Sequence, residues 1–412
     1  MINFRMLKLS DLLLWSATGI LLVLGILAIF SATFRMQFKL SADPFLFVKR
    51  QSIAFLIGFI GLSLAAYFDY RHLKKIAPYV YGVTILLLGL VLFTGHGAQG
   101  AQRWIALGSF TFQPSEFSKL GLILVLSVFF ANREKIKGLM DTGYLLVLMG
   151  IPFLLIFKQP DLGTALVFMA ILFGMLASSG HSPKLLIILG TPIISIFMRP
   201  FLYVWIIYLL GLALYLFLSR AKTWEWLVIF GSNLAVGLAL PMIWGMLKTY
   251  QQKRIVAFLN PKADPFGAGY HTIQSLIAIG GGGLFGKGFL QGTQTQLQFI
   301  PEQHSDFIFS VIGEEFGFVG SLIVIILFGV VIWRGLVIAA EARDPFGKML
   351  ASGIVTLLTF HVFANIGMVL GILPVVGIPL PFLSFGGTSL IINLTAIGIL
   401  QSISMRRHKL IF

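Results

Sequence analysis

The sequence predicts an all-α polytopic membrane protein. Three observations carry that prediction. Mean hydropathy is +0.94. Charged residues make up 11% of the chain, against roughly 25% in soluble domains. Apolar runs of bilayer-crossing length recur along all 412 residues. Taken in order, these runs fall near 11–32, 52–68, 77–94, 119–131, 143–157, 163–179, 184–198, 201–219, 225–247, 306–333, 348–372 and 386–404, twelve in all. Several contain Pro or Gly, which membrane helices tolerate. The stretch 184–219 also reads as one re-entrant hairpin. The first run follows a short basic start with Arg5 and Lys8 and no small-residue cleavage pattern, so it reads as an uncleaved first helix.

The chain has no cysteine, which excludes disulfides, iron–sulfur clusters, thiolate zinc sites and cysteine nucleophiles. Its net charge of +15 fits basic helix flanks meeting anionic lipid headgroups, not nucleic acid. Basic residues are densest in segments such as DYRHLKK, NREKIKG and MRRHK. By the positive-inside rule these segments face the cytoplasm, as do both termini.

This orientation puts the polar loops outside: His96 to Lys119, the KQPDLGT turn, Lys248 to Ser305, and Gly371 to Gly387. In the longest, HTIQSLIAIGGGGLFGKGF is too apolar for a solvated coil and too short to span. It reads as an interfacial or re-entrant helix stopped by Gly280 to Gly283. Irregular backbone at that depth must pack on protein or line a wet cavity.

The acids divide by side. Asp11, Asp69, Glu134, Asp141, Glu225, Glu341 and Asp344 lie in or beside inner segments and read as solvated helix flanks. The outer set needs more explanation. Glu116 and Lys119, three apart at a helix start, share one face, and a cap with a snorkelling lysine accounts for them equally well. Arg103 would pair with Glu116 or bind a phosphate bidentately. Asp161, after Pro160, is placed to cap a helix. Glu314 and Glu315 lie within a spanning run, where carboxylates are costly and need a partner or a task. Asp264 stands beside Lys262 between Pro261 and Pro265 and reads from the residues alone as an Asx-turn residue. His304 reads as a hydrogen-bonding residue; with Asp306 it makes too small a ligand set for a metal.

Several words then follow one another in order: GAQRWIALG…FQPSEFSK, QPDLGTA, FLNPKADPFGAGYHTIQS, GTQTQLQFIPEQHSDFIFSVIGEE and NIGMVLGILPVVGIPLPFLSFGGTS. Together they closely resemble the SEDS family (shape, elongation, division, sporulation) of bacterial cell-wall polymerases, over nearly the whole chain. GAGYH, GKG, GTQTQL and the Gln of GAQRW are similar to its elongation branch, RodA. The resemblance implies one SEDS domain over 1–412, containing the 248–305 outer loop, with ten family helices plus an extra pair between about 184 and 224. It implies a peptidoglycan glycosyltransferase that polymerises lipid II at the outer face of the bacterial inner membrane. The family's essential aspartate falls on Asp264, expected as the general base, and its other polar positions on Arg103, Glu116, Lys119 and Asp161, expected to bind substrate, with Arg103 and Lys119 as the cations for the leaving diphosphate. Lys262, His304, Asp306 and Glu315 are supporting candidates. HSDF stands where the family commonly has HTDF, and Phe385 stands where it commonly has Tyr. Implied partners are lipid II, a class B penicillin-binding protein transpeptidase, other elongation-complex membrane proteins and membrane lipids. No ligand cluster identifies a metal, although a divalent cation, Mg or Mn, would suit diphosphate chemistry. Many spanning helices and a polar cavity also suit a lipid II flippase.

Overall fold

A computed structural model describes residues 9–39, 41, 43–95, 103–107, 110–133, 138–180, 183–247, 249–260, 267 and 269–407. Asp264 and Lys262 lie outside the described residues. The elements run α1 (Leu12–Lys39), α2 (Leu46–Tyr67), a 3-10 turn (Tyr70–His72), α3 (Leu73–Thr94), β1 (Ile105–Leu107), β2 (Phe110–Phe112), α4 (Pro114–Ala131), α5 (Gly138–Lys158), α6 (Leu162–Ser178), α7 (Pro183–Met198), α8 (Leu202–Leu218) and α9 (Thr223–Met246). There follow α10 (Thr249–Leu259), α11 (Tyr270–Gly282), α12 (Thr293–Gln296), α13 (Ile308–Ala340), α14 (Pro345–Val369) and α15 (Gly387–Met405). Strands β1 and β2 pair antiparallel, Ile105 opposite Phe112.

Nine described helices are long and apolar enough to cross a membrane, and Leu162–Ser178, Leu189–Met198 and Leu202–Leu218 are shorter apolar helices. The chain is a multi-pass membrane protein. Several helix starts are written locally. Pro114 opens α4 with Glu116 in its first turn, and Pro345 opens α14 behind Asp344, whose side chain accepts from Gly347 N. The expected 119–131 helix therefore starts a turn earlier, and both Glu116 and Lys119 belong to it.

Helices α4 and α15 bury 83% of their apolar windows and α14 72%, so they form the centre of the bundle; α9 buries 17% and lies at its periphery. Helix α15 packs along α2, α13 lies against α1, α11 and α14, and α14 against α4 and α6. The α2–α15 approach is close because Gly58 and Gly398 carry no side chain: a Cβ on Gly398 would collide with the Leu62 carbonyl.

The uncertain 184–219 stretch forms two consecutive helices, and with α9 they make a satellite unit around Leu212, Leu216 and Ile229. Polar bonds knit it together. Asn233 Nδ2 donates to Thr191 Oγ1 at 3.0 Å, Tyr208 OH to Asn233 Oδ1 at 3.0 Å, and Trp205 Nε1 to Ser195 Oγ at 2.7 Å. In lipid such bonds have no competing water.

The reading of Asp11 as a solvated flank is corrected. It is 5% exposed and accepts from Arg334 Nε at 2.8 Å. A buried carboxylate needs a partner, and α13 supplies one.

Helix α11 ends at Gly283 (φ +56), as the glycine run predicts. The segment beyond it docks into a break in α13 at Gly317, whose φ/ψ of 66/−159 is not helical. The freed backbone groups find partners there. Phe318 N donates to Gly283 O (2.9 Å), Val319 N to Leu284 O (3.1 Å), Lys287 N to Glu314 O (3.0 Å) and Gly288 N to Glu315 O (3.0 Å). This is irregular backbone sheltered by protein, the condition for its survival at membrane depth. Gly286 (φ +80) sits so close that a Cβ would collide with the Glu315 carbonyl. Gly286→Ala is therefore expected to lower stability by about 1–3 kcal/mol, read as a drop in thermal unfolding temperature in detergent. Wild-type stability would mean the loop is not held against α13.

Candidate active site

Helix ends and loops gather charged side chains around the extended stretch Val375–Gly377. Helix α6 comes in first: Gly163 lies so close that a Cβ would press on the Val376 carbonyl. At its N-terminus Asp161 accepts from Thr164 N at 3.2 Å and from Thr164 Oγ1 at 2.9 Å. The capping role legible in the sequence is thus present. Arg103, just before β1, donates from Nε to Gln159 O at 3.1 Å and also to Pro160 O. Its NH1 lies 3.9 Å from Asp161 Oδ1, and its side chain is 27% exposed. Arg103 thus pairs with Asp161; among the described residues no hydrogen bond or ion pair joins it to Glu116.

Asp306 approaches from the other side. A Cβ on Gly377 (φ +75) would lie 3.4 Å from its Oδ2. Asn365 Nδ2 fixes the backbone by donating to Asp306 O and to Ile378 O, each at 2.8 Å. Burial is the main cause that pushes the Asp306 carboxyl up from 3.8 to about 6; Glu302 and Asp161 add to this, while Arg254 and Arg103 oppose it. A carboxyl whose folded pKa is raised contributes stability below its unfolded value and loses it as pH rises through the folded value. The loss here falls between about 3.8 and 6. Asp306→Asn is therefore expected to stabilise the protein at pH 7.5 by on the order of 2 kcal/mol and to change nothing at pH 4. Thermal unfolding at the two pH values checks this, and equal shifts at both would refute it.

His304 lies beside this group. Its ring centroid is 4.8 Å from Phe47 and 5.5 Å from Phe385. Its Nε2 is 3.9 Å from Glu302, and its carbonyl accepts from Phe385 N at 2.8 Å. Burial holds its pKa below the ordinary histidine value. Its ring packs on Phe47 and Phe385, while the bond to Phe385 N is made by its backbone.

Glu116 and Lys119 form a separate, buried pair. Lys119 Nζ donates to Glu116 Oε1 at 2.7 Å and lies 3.2 Å from His361 Nε2. Their exposures are 4% and 2%, with His361 at 1%. An ammonium only donates, so His361 Nε2 is the acceptor. His361 was missed in the sequence, where its signal was a lone ionisable residue inside an apolar run. Glu315 accepts from Ser31 Oγ and from Gln296 Nε2, the latter at 3.1 Å, tying α1 and α12 to α13. Among the described residues no three His, Asp or Glu side chains are grouped to hold a metal ion.

Comparison with known proteins identifies the family. The FtsW/RodA/SpoVE profile, described as a cell cycle protein, matches residues 11–210 and 191–409. The two matches overlap inside α7 and α8. Peptidoglycan glycosyltransferase MrdB of Escherichia coli K12 is 39% identical over 391 residues, covering 95% of this chain and 94% of that protein. A solved peptidoglycan synthase complex that coordinates polymerization and crosslinking contains a chain that superposes with a TM-score of 0.71 at 31% identity, covering 97% of this chain and 99% of that one. The rod shape determining protein RodA of Thermus thermophilus gives a TM-score of 0.64 at 27% identity, with 97% and 98% coverage. The chain belongs to the FtsW/RodA/SpoVE family of cell cycle proteins.

Proposed function

We propose that this protein is a peptidoglycan glycosyltransferase that polymerises lipid II into glycan strands during cell elongation. The observation that carries this reading is end-to-end similarity, 39% identity over 95% of the chain, to a protein named for that activity. The charged cluster at the outer helix ends supports it. The 4-hydroxyl of the acceptor sugar attacks C1 of the donor, Asp264 accepts the hydroxyl proton, and the C1–oxygen bond breaks with its electron pair leaving on undecaprenyl diphosphate. That leaving group is already stable as an anion. It needs positive charge, not an acid. Arg103, partly exposed beside Asp161, supplies it; the Glu116–Lys119 pair stays buried on α4. The active site faces outward across the inner membrane with both termini in the cytoplasm, and a class B penicillin-binding protein cross-links the product. The crosslinking named for the solved synthase complex supports that partnership.

The test is purified full-length protein in liposomes with labelled lipid II. Glycan chains support the reading. Lipid II moved between leaflets without chain formation would replace the polymerase by a flippase, and neither outcome would leave a scaffold.

A further inference from the structure

Arg254, on α10, was not among the residues singled out in the sequence. The structure sends it to the same place as the charged cluster. Its guanidinium NH1 lies 3.5 Å from the Val375 carbonyl. The next two residues are the ones approached by α6, at Val376, and by Asp306, at Gly377. Three consecutive residues of one extended segment thus gather Arg254, the Arg103–Asp161 pair and Asp306. Arg254 and Arg103 both act on the Asp306 carboxyl, and Arg254 also acts on His271 at the start of α11. One turn beyond Arg254, Ala257 is 5% exposed, so α10 rests on protein there instead of trailing free.

Two guanidiniums delivered by separate segments, one just before β1 and one on α10, suit a ligand with two adjacent anionic groups. Guanidinium is a planar fork that binds phosphate oxygens in pairs. Arg103 spends Nε and one terminal nitrogen on the carbonyls of Gln159 and Pro160 and is held in place by them. One arginine so committed faces one phosphate. A diphosphate needs more.

We propose that Arg254 is a substrate-binding residue that, with Arg103, cradles the diphosphate of a lipid-linked sugar donor over Val375–Gly377. This rests on the polymerase reading for the identity of the donor, but the cradle itself is a statement about diphosphate binding. The two are separated by measuring both reactions on full-length protein in nanodiscs. The binding arm titrates undecaprenyl diphosphate, undecaprenyl monophosphate and phosphatidylglycerol. Arg254→Gln is expected to weaken undecaprenyl diphosphate binding by about tenfold to a hundredfold, the range for one charged hydrogen-bonding group. The monophosphate should lose less, and phosphatidylglycerol binding should not change. Arg254→Lys keeps the charge but not the fork and should fall between. Lys253→Gln, the exposed neighbour on α10, should match wild type. In the kinetic arm Arg254→Gln raises the KM for lipid II by a similar factor while kcat falls less than threefold.

Unchanged diphosphate affinity in Arg254→Gln overturns the proposal whether or not the wild type polymerises. So does an equal loss for phosphatidylglycerol, which would make Arg254 a general headgroup contact. A wild type that binds diphosphate through Arg254 yet makes no glycan would keep the cradle and remove the polymerase reading.

Discussion

Asp264→Asn is expected to leave the protein folded, membrane-inserted and able to bind lipid II, while glycan polymerisation falls by about 10²–10⁴-fold. Asparagine has nearly the same shape and is at least as good a turn residue as aspartate. If Asp264 served only the turn between α10 and α11, the substitution would be silent. What asparagine cannot do is take a proton from the attacking hydroxyl. The leaving diphosphate needs no acid, so a single base accounts for all the proton transfer the reaction requires. Polymerisation of labelled lipid II, read by gel, checks the rate. Co-elution with undecaprenyl diphosphate checks that the binding side, with Arg103 beside Asp161, survives. Near-normal glycan synthesis by this variant would remove the base assignment and leave the aspartate a turn residue.

The helices were legible because their signal is local. An apolar run long enough to span must be helical, since lipid offers the backbone no other partner. The stop at Gly283 was legible for a related reason: four glycines in a row cannot continue a helix cheaply. The break at Gly317 was not, because single glycines recur throughout these helices and only the docking of Gly286 against Glu315 O makes this one different. Helix α10 was missed. It is short and polar, and its side-chain bonds run to Trp244 O nearby and to Val375 O far along the chain. The candidate site divides the same way. Asp161 as a cap and Glu116–Lys119 as a pair are separations of three residues and could be read. That Arg103 pairs with Asp161, that Lys119 meets His361, and that Arg254 reaches Val375 are separations of tens to hundreds of residues. One sequence has no periodicity that reports them.

Glu314→Ala is expected to cost about 3–5 kcal/mol, the largest stability loss of any substitution considered. Glu314 is 0% exposed, and sequence alone could say only that such a carboxylate needs a partner. The structure supplies five donors. Its Oε1 accepts from Lys287 Nζ (2.8 Å), Thr293 N (2.7 Å), Thr293 Oγ1 (3.1 Å) and Gln294 N (2.8 Å), and its Oε2 from Thr295 N (2.9 Å). Three of these are backbone N–H groups at the start of α12, which a carboxylate caps favourably. Alanine would strand them together with the Lys287 ammonium. Stranded donors cost more than the bonds themselves contributed. A second variant separates the two losses. Adding Lys287→Met to Glu314→Gln removes the uncompensated cation and should recover part of the stability, because the two positions are directly coupled. Thermal unfolding in detergent reads the size of the loss, and limited proteolysis between residues 284 and 300 reads where it falls. If Glu314→Ala unfolds like wild type and resists protease equally, water has replaced the carboxylate, and the segment 284–300 is held on α13 by the backbone bonds and close glycine contacts at Gly286 and Gly317 alone.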